Sequence, residues 1–250
     1  MVLRSGRLRL HVGASKLHRW LALIIGVQLL LWFSSGLLMS ILPIEQVRGE
    51  HLVARESTTA LSPDQEFASP ALVLGAAPSP VRELRYTTLL GQPVAELTMA
   101  NGTVRMHDAQ SGLPMPRIDA PFALRVARAA YRGPGLPVAS VVLARTANTE
   151  FRGKLPVWCV EFEDAETTRV FVSPENGRIV GVRTGTWRLY DFFWGLHIMD
   201  WKNHENFNTP WMMAFAAGGL TLAVAGMVLL YMRWPRRRRR KVQGVRDVAT

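Results

Sequence analysis

The chain reads as an α+β protein: two transmembrane helices, one near each end, flanking a domain of two small α+β units with antiparallel strands. Three observations predict this. Trp20 to Leu42 is apolar apart from Gln28, Ser34, Ser35 and Ser40, and Trp211 to Trp234 holds only Thr221 and Arg233 as clearly polar side chains. About 20 such residues, at a rise of about 1.5 Å each, cross a hydrocarbon core of about 30 Å. Charge is partitioned along the chain. Of 30 Lys plus Arg and 19 Asp plus Glu, the stretch Pro43 to Thr209 holds 17 basic and 18 acidic residues, so the two tails hold the remaining 13 basic residues and one acid. Between the spans, short alternating runs and turn dipeptides repeat.

Residues 1–19 form a basic tail with Arg4, Arg7, Arg9, Lys16 and Arg19 and no acid, followed by the first span at 20–42. A cleaved secretory signal has an apolar stretch of about 7–15 residues and a small-residue cleavage site. This stretch is longer and ends in LLMSILP, so it reads as an uncleaved anchor. The second span, 210–234, runs into Pro235 and the run Arg236–Lys241 of the C-terminal tail, 235–250. Clustered basic residues beside a span mark its cytoplasmic side. Both termini are therefore expected in the cytoplasm of a bacterial inner membrane, with the central domain in the periplasm and the lipid bilayer as first partner.

Residues 43–80 read as a connector. From Val81 to about 185 the pattern is that of a sheet protein: RELRYTTL, then Pro93–Met99, the turn pair Asn101-Gly102, and Thr103–His107. Asn-Gly between alternating segments is the strongest short-range hairpin signal. Pro121–Tyr131 carries an imperfect helical stripe, and strand-like runs follow at Ala139–Arg145, Val157–Phe162 and Thr168–Val172. The segments HDAQSGLPMP at 107–116 and VSPENGRIVGV at 172–182 share a layout, with Gly112 and Gly177 in register 65 residues apart. This predicts two copies of one unit, at about 69–118 and 119–183. Residues 186–209 are aromatic but carry Arg188, Asp191, His197 and Asp200, so they are expected to form an interfacial helix, Trp187 to Trp201, and a loop feeding the second span. In that span Ala214, Ala217, Gly218, Thr221 and Ala225 recur at three- and four-residue spacing, a stripe expected to face the first span or a second copy.

Several classes are excluded. Gly-x-Ser-x-Gly, HExxH, a P-loop and a strand–GxGxxG–helix unit are all lacking, which removes the motif-bearing soluble enzymes. The basic residues flank spans instead of covering a folded face, so nucleic acid is not a partner. The single cysteine, Cys159, cannot form an internal disulfide and reads as a small buried apolar residue. The acidic run Glu161, Glu163, Asp164, Glu166 reads as a solvated strand edge and turn.

KLHRWLALIIGVQLLLWFSSGLL at 16–38, the two strand-ending segments above, and GLH at 195–197 ahead of a small-residue-rich last span and a basic cluster together resemble the PepSY-associated transmembrane proteins of bacterial inner membranes. The two α+β units are, by this resemblance, PepSY-like. Larger relatives have about four spans and include proteins of iron uptake that look like haem-containing siderophore reductases, whereas this chain has two spans. The resemblance implies a membrane reductase or cytochrome b-like carrier that holds haem b and transfers electrons to a periplasmic acceptor such as a ferric chelate. PepSY modules also occur in protease propeptides, which implies the other reading, a non-catalytic subunit binding a peptide, a protease or a partner protein.

The histidines are His11, His18, His51, His107, His197 and His204. Imidazoles on membrane helices are the usual ligands of b-type haem. His18 matches the family's HRW at the inner mouth of the first span, and His197 precedes the second span on the opposite side. The roughly 22 residues from His18 to Ser40 rise about 33 Å, so the two cannot share one iron within one chain. A twofold dimer pairs each with its own copy, which makes His18 and His197 the expected haem ligands of a homodimer or larger membrane complex. The competing readings are a headgroup-level residue beside Arg19 and Trp20 for His18, and, for His197, a belt formed with Trp194 and Trp201. His204, with Glu205 and Asn206, is a weaker metal corner that lacks a second ligand pair at recognisable spacing.

Overall fold

The computed structural model describes residues 2–55, 59–62, 64–134 and 137–233; the basic tail expected at 235–250 lies outside the described residues. Two compact units emerge, one made of the chain up to Ser34 together with the chain from Phe207, the other of Ser35–Asn206. The long helix α1 (Val2–Ile41) begins in the first and ends in the second.

In the first unit α1 meets α6 (Pro210–Arg233). His18–Ile41 and Pro210–Tyr231 are both long and apolar enough to cross a membrane, and most of their large side chains, from Leu23 to Leu230, are exposed. Outward-facing apolar side chains suit lipid and not water. Half-buried positions on α6 recur as Met212, Phe215, Gly218, Gly219, Leu222, Ala225, Gly226 and Leu229. A Cβ on Gly218 would come within 2.5 Å of Ile25 Cδ1, so a side chain here would displace the buried Ile25. The small-residue stripe divides accordingly. Gly218 and Ala225 face inward, while Ala214, Ala217 and Thr221 are exposed. Thr221 needs no partner across a helix interface because its Oγ1 donates to the Ala217 carbonyl, 2.8 Å away. Gly218→Leu is therefore expected to lower the melting temperature of the detergent-solubilised chain by several degrees and Thr221→Leu to leave it nearly unchanged; equal shifts would contradict this packing.

The second unit holds α2 (Ile44–Val47), α3 (Pro70–Gly75), β1 (Val81–Leu89), β2 (Gln92–Met99), β3 (Val104–Asp108), α4 (Ala120–Ala130), β4 (Val138–Ala144), β5 (Val157–Phe162), β6 (Arg169–Val172), β7 (Ile179–Arg183) and α5 (Gly185–Ile198). The strands make two antiparallel sheets, β1-β2-β3 and β4-β5-β6-β7. Helices α3, α4 and α5 each start where the sequence supplies a cap. Ser69 and Asp119 accept from the N–H three residues on, with Pro70 and Pro121 in the first turns, and Thr184 does the same for α5.

One face of the first sheet, with Ala95, Leu97 and Met99, packs with Ala68, Val73 and Ala109. In the second sheet Val160, Phe162, Val170, Val172 and Val182 meet Ala123, Val126 and Ala127 of α4, and Phe162 stacks on Tyr131 at 4.2 Å. The internal repeat holds at the level of single hydrogen bonds. Asp108 N–H donates to Leu113 O and Gly112 N–H to Asp108 O; 65 residues on, Ser173 N–H donates to Arg178 O and Gly177 N–H to Ser173 O. In both turns the glycine has positive φ, 74° and 69°, where an L side chain is strained.

The turns differ in what they pack on. A Cβ at Gly112 would meet Leu72 and Ala68 of its own half, whereas one at Gly177 would meet Leu89 of the first sheet. Beside Gly177, Arg178 pairs with Glu96 of β2 at 2.8 Å and Asn176 donates to the same carboxylate at 3.3 Å. Glu96 is only 7% exposed, so the second half reaches the first through a desolvated, charge-assisted contact.

Candidate functional site

The aromatic helix α5 organises the site. It stops at Ile198 because Met199 adopts φ +56°, closing the helix with a left-handed cap. Trp201 is therefore in the loop, and the expected aromatic face running from Trp194 through His197 to Trp201 does not form. The loop is drawn around Asp200, whose carboxylate accepts the backbone N–H groups of Lys202, Asn203, Glu205 and Asn206. The bonds from Asn206 and Glu205, chief among these, hold this carboxyl at about 2.

Two histidines leave this corner in different settings. His197 Nδ1 lies 2.9 Å from Oγ of Ser35 on α1, a serine with no exposed surface. The α1 backbone is flush against the ring, since a Cβ on Gly36 would sit 3.6 Å from His197 Cε1. His204, at φ +55°, turns back onto the helix, where its Nδ1 meets Asp191 Oδ2 at 2.6 Å and its carbonyl accepts from Trp194 Nε1 at 3.0 Å. The ring occupies the space a side chain at Gly195 would fill, with Cδ2 at 2.4 Å from that Cβ position.

At its N-terminal end α5 is fastened to the second sheet. Glu150 accepts from Arg188 Nε at 2.8 Å and from Arg169 Nη1 at 2.9 Å, and its carbonyl accepts from Arg183 Nε at 2.6 Å. Burial alone would raise the Glu150 carboxyl, but bonds from Arg188 and Arg169 outweigh it and hold the group below the usual carboxylate range. Arg169 also donates to Glu161. Asp164 accepts from Tyr131 and Thr168, and Glu166 faces His51 at 3.1 Å and accepts from the Thr186 N–H. Glu161, Asp164 and Glu166 of the acidic run are structural acceptors, and Glu163 is exposed. Burial pushes the Cys159 thiol up to about 11, which leaves it unreactive at neutral pH.

His18 lies half-buried on α1 in the membrane-spanning unit, and His197 and His204 lie in the other. His107 is buried on β3 with neither ring nitrogen hydrogen-bonded, and burial followed by nearby Arg105 lowers its basicity. No group of three His, Cys, Asp or Glu side chains able to hold a metal occurs among the described residues. Sequence reading did not find Ser35 or Asp191. Asp191 was legible as a polar residue in an aromatic helix, but Ser35 is 162 residues from its histidine and no local spacing signals it.

A second concave site lies between the two halves. It encloses about 980 Å³, floored by Arg85, Thr87, Val94, Glu96 and Met106 of the first sheet and walled by α4, Arg132, Arg55 and the 176–179 turn.

Two apolar helices, one near each end of an α+β domain of two antiparallel sheets, define a membrane protein with a substantial domain outside the bilayer. A model of the PepSY-associated TM region matches residues 15–248, and the chain belongs to that family. No curated protein and no solved structure matches the chain significantly.

Proposed function

We propose that this protein is a haem b-binding electron carrier of the bacterial inner membrane, passing electrons across the bilayer to a periplasmic acceptor such as a ferric chelate. The supporting observation is the setting of His197. A ligating imidazole binds iron through one nitrogen while the other is fixed by a hydrogen bond, which sets tautomer and ring orientation. The buried hydroxyl of Ser35 makes such a bond to Nδ1. His197 fits a haem ligand on this ground; His18, half-buried at the other end of the first span, is its counterpart at the inner face. One chain supplies one imidazole at each level, so the assembly is a twofold dimer with His18 paired to its copy and His197 to its copy. Haem supplies reversible one-electron transfer; the chain holds and orients it and excludes water. Both termini lie in the cytoplasm, where the tail arginines meet the anionic inner leaflet.

A reduced-minus-oxidised spectrum of the purified chain, with a haem count per chain, tests this. His18→Ala and His197→Ala should each remove one haem population, the double variant should be colourless, and His51→Ala and His107→Ala should leave the spectrum unchanged. Ser35→Ala removes the orienting bond and is expected to weaken haem retention about 10–100-fold, shifting rather than abolishing the spectrum. A wild-type chain that is colourless after expression with haem supplied would end this reading. The second reading, a non-catalytic binding subunit, is favoured by the arginine-walled cleft between the two sheets, and would then stand.

A further inference from the structure

We infer that the cleft between the two halves of the external domain is a binding site for a small organic polycarboxylate with an apolar body. Four arginines, Arg55, Arg85, Arg132 and Arg178, are among its lining residues, with Glu96 as the acidic one. That carboxylate is already committed, since Arg178 and Asn176 both hold it. Arg55 donates to the Arg48 carbonyl at 2.6 Å, and burial, more than its neighbours, lowers its basicity. Arg85 and Arg132 have no side-chain hydrogen bond or ion pair among the described residues, yet they face one concavity from opposite sides, one on β1 and the other just past α4. Both are exposed, so an anion seated between them would gain two charge-assisted contacts without displacing an existing ion pair.

The chemistry of the walls narrows the anion. Guanidinium groups present paired N–H donors in a plane that matches a carboxylate. Leu89 and Ile179, both partly exposed, supply apolar surface between them, and about 980 Å³ is the size of a small-molecule site rather than of an extended interface. A ligand with two or more carboxylates spaced around an apolar or aromatic centre satisfies both features. The inference does not depend on haem, and its test reads binding directly.

The test is calorimetric titration of the full detergent-solubilised chain with trimesate (benzene-1,3,5-tricarboxylate), tricarballylate, inorganic phosphate and a hexaglutamate peptide. Trimesate is expected to bind at one site per chain, tighter than tricarballylate of equal charge because only its ring buries apolar area. Arg85→Gln and Arg132→Gln should each weaken it at least tenfold, whereas Arg128→Gln, on the exposed side of α4, should not. Both cleft arginines are on the surface, and an unchanged melting temperature would show that the variants remain folded. Failure of trimesate to bind at millimolar concentration, equal affinity for phosphate, or tighter binding of the peptide would each overturn the proposal.

Discussion

Glu150→Ala is expected to destabilise the external domain by about 2–4 kcal/mol, a fall of about 10 °C in melting temperature for a chain of this size. The side chain of Glu150 is 15% exposed and accepts from Arg169 and Arg188 together. Removing one member of a buried ionic cluster leaves its partners desolvated, which costs roughly 3–5 kcal/mol when the cluster is fully enclosed. Here the arginines are 34% and 30% exposed, and water compensates part of that loss. The pH dependence follows from the depressed Glu150 carboxyl. The unfolded chain takes up the proton first, so the contribution is complete at neutral pH and disappears as pH falls below the ordinary carboxylate range through the lower folded value. Glu150→Gln should lose most of the stability and flatten that acid limb. A variant as stable as the wild type, with an unchanged acid limb, would show that Arg188 is held by the Glu166 and Thr167 carbonyls alone, which it also contacts.

Gly195→Val is the second large effect, about 1–3 kcal/mol from overpacking alone. The new Cβ would stand 2.4 Å from His204 Cδ2, and that ring cannot step aside without leaving Asp191. The loop 200–206 should then detach, read as faster proteolysis after Lys202. His204→Ala makes the space available, so in a Gly195→Val background it should cost nothing further. This non-additivity separates a ring clash from a general loss of helix α5. Additive losses would place the cause elsewhere.

Much of the architecture was legible because it is written in local periodicities. The spans announced themselves by apolar length, and the Asn101-Gly102 hairpin joins β2 to β3 as its turn dipeptide indicated. Val157–Phe162 was found to the residue, and most other strand ends lie within one or two residues. Short features with mixed signals were missed. The β1–β2 turn uses Leu90-Gly91, both at positive φ, where leucine gives no turn signal. The helix α3, a bare six residues in a stretch that read as a connector, is held by its Ser69 cap and Pro70. Helix α5 was expected to run to Trp201, but the left-handed Met199 ends it earlier, a break no residue type at that position announces. Around the candidate site, histidine positions could be read and their partners could not. Ser35, Asp191 and the arginines around Glu150 are brought in from remote stretches, and a polar residue in a sequence does not say whom it will meet.

The turn at 173–177 has a double membership. By its backbone it is the reversal between β6 and β7; by Asn176, Gly177 and Arg178 it is seated on Glu96 and Leu89 of the first sheet. Arg178 is also a wall of the cleft. A rocking of the sheets that pulled this turn away from β2 would stretch the Arg178–Glu96 bond as it widened the opening. An anion in the cleft that drew Arg178 toward itself would compete with Glu96 for it, and its occupancy would then be coupled to the joint that holds the two halves together.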